Sequence, residues 1–418
     1  MTGRIKSEFS RNVLALMTGT TIAQAIPIAI SPILTRLYSP EDFGLFALFI
    51  AVSSIIASVS NASYEQAIVL PKKNIDAINI FALGFIINIF ITIISLTFII
   101  ISHDLIVEFL RNKEISIWLY AVPFVVFLTG TFNLLIFFNN RLKNYKDMAR
   151  ASIYKSIVNA IVQLIFVFFK SGVFGLISGR IFSQIVSNTK LFFNIKKMGL
   201  FKYIKPKKML YMARRYRKFP LLTLPNVLAD SFREHGFNVF VNVVYSAATL
   251  GQFYLAQRML KSPFAIIGGS ISKVFLQKIS VVSKEELFDL SFKYIKKSSL
   301  LSAPIFIGIY FFSTDIFIFF FGERWILSGK IASSLSPWLF LSFITSPLSN
   351  IFIVLEKQEV VLVYAIIYML LPIAAVLAIG GNFMHMINTL SFLMSAILII
   401  FIIQIFYTLK KERRASDI

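Results

Sequence analysis

The sequence predicts an all-α polytopic membrane protein, with about twelve transmembrane helices in two parallel six-helix lobes around a central cavity. Three observations predict it. Of 418 residues, 57% are apolar and 15% charged, with a mean hydropathy of +0.77; soluble domains run about 45–50% apolar and about 25% charged. Apolar runs near the ~20 residues that a helix needs to cross the hydrocarbon core recur along the chain. Lys and Arg between those runs are dense on one side and sparse on the other, the positive-inside pattern. Composition also excludes classes. The 45 Phe exclude an intrinsically disordered chain, and the absence of Cys excludes a disulfide-stapled secreted scaffold.

Twelve runs fit a span: 13–34, 43–62, 77–101, 115–138, 151–169, 174–193, 221–244, 250–275, 298–320, 331–355, 360–380 and 384–409. The first is not a signal peptide, because Pro27 and Pro32 interrupt it and Arg36 stands where a small-residue cleavage site would be. With the N-terminal side counted as one face, and Lys273 at the end of the eighth span counted with it, 30 Lys and Arg fall on it, 6 on the other and 6 inside spans. That split predicts both termini in the cytoplasm. The basic residues are spread over seven separate segments, so the net charge of +22 is not the single patch of a nucleic-acid binder. Lys155 and Lys190 lie near the basic face and are expected to snorkel towards it.

The chain repeats itself. Tyr38-Ser39-Pro40-Glu41-Asp42-Phe43-Gly44 follows the first span and Tyr245-Ser246-Ala247-Ala248-Thr249-Leu250-Gly251 follows the seventh, in register at an offset of 207 residues. Six helices return the chain to the same side, so the halves read as parallel repeats. The expected organisation is an N-lobe over 1–193, a basic cytoplasmic linker over 194–218 and a C-lobe over 219–418. In the linker, Met209, Met212, Ala213 and Tyr216 fall on one helical face among Lys207, Lys208, Arg214, Arg215 and Arg217. This reads either as an amphipathic helix on the anionic leaflet or as a topology determinant alone. Residues 285–297 repeat the theme, with Phe288, Phe292 and Ile295 on one face.

Charges within the spans point to chemistry, because a charge at the bilayer centre costs about 2.5–3.5 kcal/mol or more. Asp230, Arg233 and Glu234 share one face of the seventh span, next to His235. They form either a self-neutralised cluster or a site where an acid binds a coupling cation and Arg233 meets a substrate phosphate. Arg258 and Lys261 lie one turn apart in the eighth span, which carries no acid; two cations so placed suit a pyrophosphate. Arg180 sits two turns inside the sixth span, and Glu65 near the end of the second, where a gate or snorkelling role rivals ion coupling. Gly175 and Gly179 have the spacing of a helix-packing pair.

Arg36-Leu37-Tyr38-Ser39-Pro40-Glu41-Asp42-Phe43-Gly44 resembles the loop after the first helix of bacterial polysaccharide flippases. Tyr64-Glu65-Gln66-Ala67-Ile68-Val69-Leu70-Pro71 is similar to the end of their second helix. These flippases belong to the multidrug/oligosaccharidyl-lipid/polysaccharide exporter superfamily. The resemblance implies a protein of the bacterial inner membrane that moves an undecaprenyl-pyrophosphate-linked oligosaccharide, an O-antigen or capsule repeat unit, to the outer leaflet by alternating access. It implies H+ or Na+ and membrane lipids as partners, with polysaccharide polymerase and chain-length machinery, and adds Arg36 to the substrate-contacting set. No nucleotide motif or metal-ligand cluster occurs, so no cofactor is expected and transport is expected to run on the membrane gradient. Two other readings compete. A cation-coupled drug exporter of the same superfamily would want a cavity with few cations. A membrane polymerase or glycosyltransferase would want a sizeable extracytoplasmic loop, whereas the longest outer connection, 102–114, has 13 residues.

Overall fold

The computed structural model describes residues 2–169, 172–379 and 381–416. Lys170, counted above on the sparse face, lies outside them. Among the described residues every long element is a helix. In chain order these are α1 (Thr2–Leu37), α2 (Pro40–Ser58), α3 (Tyr64–Ala67), α4 (Asn74–Ile101), α5 (His103–Leu110), α6 (Ser116–Leu119), α7 (Val122–Arg141), α8 (Tyr145–Val167), α9 (Val173–Lys196), α10 (Pro206–Arg215), α11 (Leu224–Val244), α12 (Ala247–Ile279), α13 (Lys284–Phe321), α14 (Ile326–Leu348), α15 (Asn350–Val354), α16 (Gln358–Ile379) and α17 (Phe383–Ser416).

Local sequence explains where several helices start and break. Ser39 and Asp42 cap α2 reciprocally, with Pro40 in its first turn, so two orphan N–H groups are satisfied at once. The second expected span ends early: α2 stops at Ser58, and Ala62 and Ser63 take positive φ of 48° and 59° before the single turn of α3. The tenth is likewise interrupted between α14 and α15. The amphipathic stretch after Ser283 is not a separate helix; it runs into the ninth span as one helix, α13, through Pro304. A membrane helix tolerates such a proline when neighbours satisfy the freed carbonyl.

The chain divides into two compact units, Met1–Gly251 and Gln252–Ile418. In the first, α8 packs on α1 and α9, α7 on α4 and α9, and α11 on α2. In the second, α14 packs on α13 and α17, and α17 on α16. The pairs α4–α7, α7–α9 and α8–α9 thus have counterparts in α13–α14, α14–α17 and α16–α17. The boundary differs from a division at the linker: the first unit takes in the linker, α11 and the first turn of α12.

The linker helix α10 corrects one expectation. Its apolar face does not lie open to lipid. Met209 and Met212 are buried, Met212 in the same apolar core as Tyr64, Ile78, Phe138 and Leu191. Asn79 donates to the Tyr203 carbonyl and accepts from the Lys205 N–H, and Lys208 pairs with Asp76. Leu210 and Tyr211 are the apolar side chains that α10 leaves exposed.

Candidate functional site

Nine helices are long and apolar enough to cross a membrane among the described residues. They match the first five and last four expected spans. The sixth and seventh, α9 and α11, are long enough but too polar; the side chains of the eighth, α12, are described only in part. These three carry Arg180, then Asp230, Arg233 and Glu234, then Arg258 and Lys261. In a polytopic membrane protein, polar helices of this length face water or protein on their charged side.

On α11 one side is fixed to protein. Ser231 Oγ donates to the Ser54 carbonyl of α2 at 3.3 Å, and Asn242 Nδ2 to the Leu110 carbonyl at 2.7 Å. Gly236, Phe237, Asn238 and Val241 are buried there. The charged residues lie on the preceding turns of the helix, where side chains are exposed. Arg233 Nη2 lies 3.0 Å from Asp230 Oδ1, with the two side chains 46% and 72% exposed, and Glu234 is exposed beside them. The pair is therefore open to exchange partners: a cation on Asp230 would release the Arg233 guanidinium.

The α12 cations lie in the second unit, where Arg258 is half-buried and Lys261 exposed. The start of this helix is clamped to α14. Gln252 donates from Nε2 to the Arg324 carbonyl at 2.6 Å and accepts the Ser328 N–H at 2.9 Å. The cavity described in this unit, about 240 Å³ between α13 and α14, is lined by Phe306, Tyr310, Pro337 and Phe340 with no charged residue. It suits hydrocarbon, not a phosphate.

On α9, Arg180 is half-buried, and the Gly175/Gly179 spacing does pack helices: Gly175 sits against the Tyr38 hydroxyl and Gly179 against the Asn159 backbone of α8. Arg36 is exposed on the last turn of α1. Elsewhere in its motif Tyr38, Phe43 and Gly44 are buried. Tyr38 donates to the Gln163 carbonyl at 2.6 Å and meets Phe43 edge-on.

Glu65 is the buried acid, 7% exposed on α3. Among the described residues its Oε2 has no hydrogen-bond partner, and neither do Ser63 Oγ and Asn61 Oδ1. Around it, Tyr64 donates to the Ala213 carbonyl of α10, and Arg141 donates to the carbonyls of Ile68 and Val69. The break was invisible in sequence because Ala62 and Ser63, not glycine, hold the left-handed positions.

The two lysines expected to snorkel take different partners. Lys190 pairs with Asp147 at 3.3 Å. Lys155 turns to the Phe132 ring of α7, 4.3 Å from its centroid. The sequence did hold a signal for Lys155: it shares a helical face with Asn159 and Gln163 at i+4 and i+8. No group of three or more metal-ligating side chains occurs among the described residues.

A family model described as "Polysaccharide biosynthesis protein" matches residues 33–329. No curated protein sequence matches. Among solved structures, the chain is similar to an inward-facing multidrug resistance MATE family transporter of the MOP superfamily, with a TM-score of 0.70 and 15% identity over 96% of both chains. It is similar to the lipid II flippase MurJ in its inward closed conformation, with a TM-score of 0.64 and 16% identity over 95% of this chain and 89% of that one. It is also similar to a MOP superfamily transporter from Pyrococcus furiosus, with a TM-score of 0.60 and 14% identity over 97% and 96%. At these identities the likeness is one of fold.

Proposed function

Because the chain belongs to the polysaccharide biosynthesis protein family and has the fold of MOP-superfamily transporters, we propose that it is a flippase. Its cargo is an undecaprenyl-pyrophosphate-linked oligosaccharide, moved by alternating access from the cytoplasmic to the periplasmic leaflet of a bacterial inner membrane. Both termini and the 194–218 linker face the cytoplasm, and the chain hands its product to polymerase and chain-length machinery. The carrying observation is the distribution of polarity. Helices α9, α11 and α12 carry mid-helix cations, and α9 and α11 fall short of membrane apolarity; an anionic headgroup is what such cations serve.

The roles follow from chemistry. Arg233, Arg258, Lys261, Arg180 and Arg36 contact the pyrophosphate and the sugars; Arg offers a two-pronged donor to phosphoryl oxygens and Lys a point charge. Two negative charges leaving a negative interior release about 4–5 kcal/mol per 100 mV, so the potential drives the direction. The same cations would hold the product, and an inward H+ or Na+ on Asp230, Glu234 or Glu65 resets the site. The Asp230–Arg233 contact is the lever: while Arg233 is held by the carboxylate it is withheld from phosphate, and neutralising Asp230 frees it.

The test is flipping in sealed vesicles with potential, proton and Na+ gradients imposed separately. Asp230→Asn and Glu234→Gln should lose ion dependence before they lose substrate binding. Undiminished flipping with every gradient collapsed would refute the coupling, and transport of a lipophilic cation in place of the lipid-linked sugar would favour a drug exporter.

A further inference from the structure

We propose that the break between α2 and α3, together with Asn88 of α4, forms a binding site for a small monovalent metal cation such as Na+. The orientation of two amides carries this. Asn61 donates from Nδ2 to the Gly130 carbonyl of α7 at 2.9 Å. Asn88 donates from Nδ2 to the Phe127 carbonyl of α7 at 2.9 Å and to Thr131 Oγ1 at 3.2 Å. A carbonyl only accepts, so neither amide can be reversed, and each presents its oxygen elsewhere. Gly130 gives room for this: a Cβ there would collide with both Asn88 Oδ1 and Ser60 Oγ, which converge on it. Ser60 Oγ gives its proton to the Ala57 carbonyl at 2.7 Å, so it meets Gly130 with lone pairs. Four residues past Asn61 comes Glu65, across a turn closed by the Tyr64 N–H on the Asn61 carbonyl at 3.0 Å.

Asn61, Asn88 and Glu65 are 2%, 0% and 7% exposed. Among the described residues Asn61 Oδ1, Asn88 Oδ1 and Glu65 Oε2 have no hydrogen-bond partner, and Glu65 is in no ion pair. Arg141, which reaches the break from α7, donates instead to the carbonyls of Ile68 and Val69 and to Asn74 Oδ1. All three orphans are acceptors, which excludes an anion. A proton would satisfy the carboxylate alone, because amide oxygens do not titrate. A metal cation satisfies all three. One carboxylate among neutral oxygens balances a single positive charge, whereas Ca2+ draws several carboxylates. The broken helix adds to this. α2 ends at Ser58, within the second expected span, and the C-terminal end of a helix carries partial negative charge, the end at which discontinuous membrane helices coordinate Na+. Such a site differs in kind from a cluster of His, Cys, Asp and Glu, of which none occurs among the described residues. That the cation drives transport rests on the flippase reading, where it decides between H+ and Na+ at Glu65; that the break binds the cation does not.

The experiment is hydrogen–deuterium exchange of the full-length protein in nanodiscs, in NaCl or in choline chloride of equal ionic strength. Na+ at about ten times its dissociation constant should slow amide exchange in residues 59–68 about tenfold. Glu65→Gln and Asn88→Leu should each abolish that protection, and Glu65→Asp should keep part of it. The readout is confined to the break, which separates this site from any ion held at Asp230 or Glu234. Exchange in 59–68 indifferent to Na+ in the wild type would mean that the orphan oxygens hold water only, and would overturn the site. Protection by Na+ that survives both Glu65→Gln and Asn88→Leu would overturn it too. Should Asn88→Leu fail to fold, Glu65→Gln and Glu65→Asp carry the same comparison. Glu65-dependent protection by Na+ without flipping would sink the flippase reading and leave the site standing; Na+-driven flipping without protection at the break would do the reverse.

Discussion

The α1–α2 turn and the α2–α4 break carry the two stretches that resemble polysaccharide flippases, and they are built in opposite ways. In the turn every polar device is satisfied: Ser39 and Asp42 cap each other's backbone, and Tyr38 is bonded to the Gln163 carbonyl. In the break, three buried oxygens on Asn61, Ser63 and Glu65 lack partners among the described residues, and two residues hold left-handed backbone. A buried polar atom normally finds a partner, and strain persists only where the surroundings impose it. The lesson is that a recognisable motif does not by itself mark a site. The turn spends its motif on packing, while the break leaves buried polar groups unsatisfied among the described residues.

The largest expected effect lies in the turn. Gly44 rests directly on the Ala247 carbonyl and Gly251 on the Pro40 carbonyl, so the two repeat copies pack reciprocally, backbone to backbone. Gly44→Val or Gly251→Val should destabilise by about 4 kcal/mol or more, since neither contact has a flexible side chain to yield. Thermal unfolding in detergent would read it; a wild-type melting temperature would break the contrast. Next comes Tyr38→Phe, which leaves the ring and deletes one buried hydrogen bond. It should cost about 1–3 kcal/mol and leave transport intact once the protein is folded. Loss of transport in a stably folded Tyr38→Phe would move the turn into the site.

Glu65→Gln should do the opposite. Removing a poorly solvated carboxylate changes stability by less than about 1 kcal/mol, while the ion dependence of flipping falls away. A large stability loss with normal ion response would make Glu65 structural. The smallest effect belongs to His103, whose Nδ1 lies 3.0 Å from Asp104 Oδ1 in the connection after α4. The Asp104 hydrogen bond raises its pKa. A raised folded pKa means that the protonated form stabilises the fold below the unfolded value of about 6.5, and that this is lost as pH rises through the folded value. His103→Gln should flatten that small pH dependence of unfolding; an unchanged profile would contradict it.

The spans were legible because 20-residue apolar runs have few other uses, and the repeat because its two copies keep register. The charged residues of α9, α11 and α12 were legible for the same reason: each stands out against an apolar run. What was hidden depends on contacts distant in sequence. That α10 buries Met209 and Met212 in protein, not lipid, is fixed by Asn79 and Asp76 on α4. That Lys155 turns inward depends on Phe132 of α7. An amphipathic face has one period whether protein or bilayer covers it, so sequence alone cannot choose.

The central claim is that this chain moves a lipid-linked anion. Its most direct test is leaflet transfer of fluorescent undecaprenyl-pyrophosphate-linked oligosaccharide in vesicles holding the purified protein, the Arg258→Ala and Lys261→Ala variants, or none. Wild-type vesicles should transfer the probe well above protein-free ones, with each variant impaired and Arg258→Lys only partly active because its paired donors are lost. Transfer no faster than in protein-free vesicles would contradict the account.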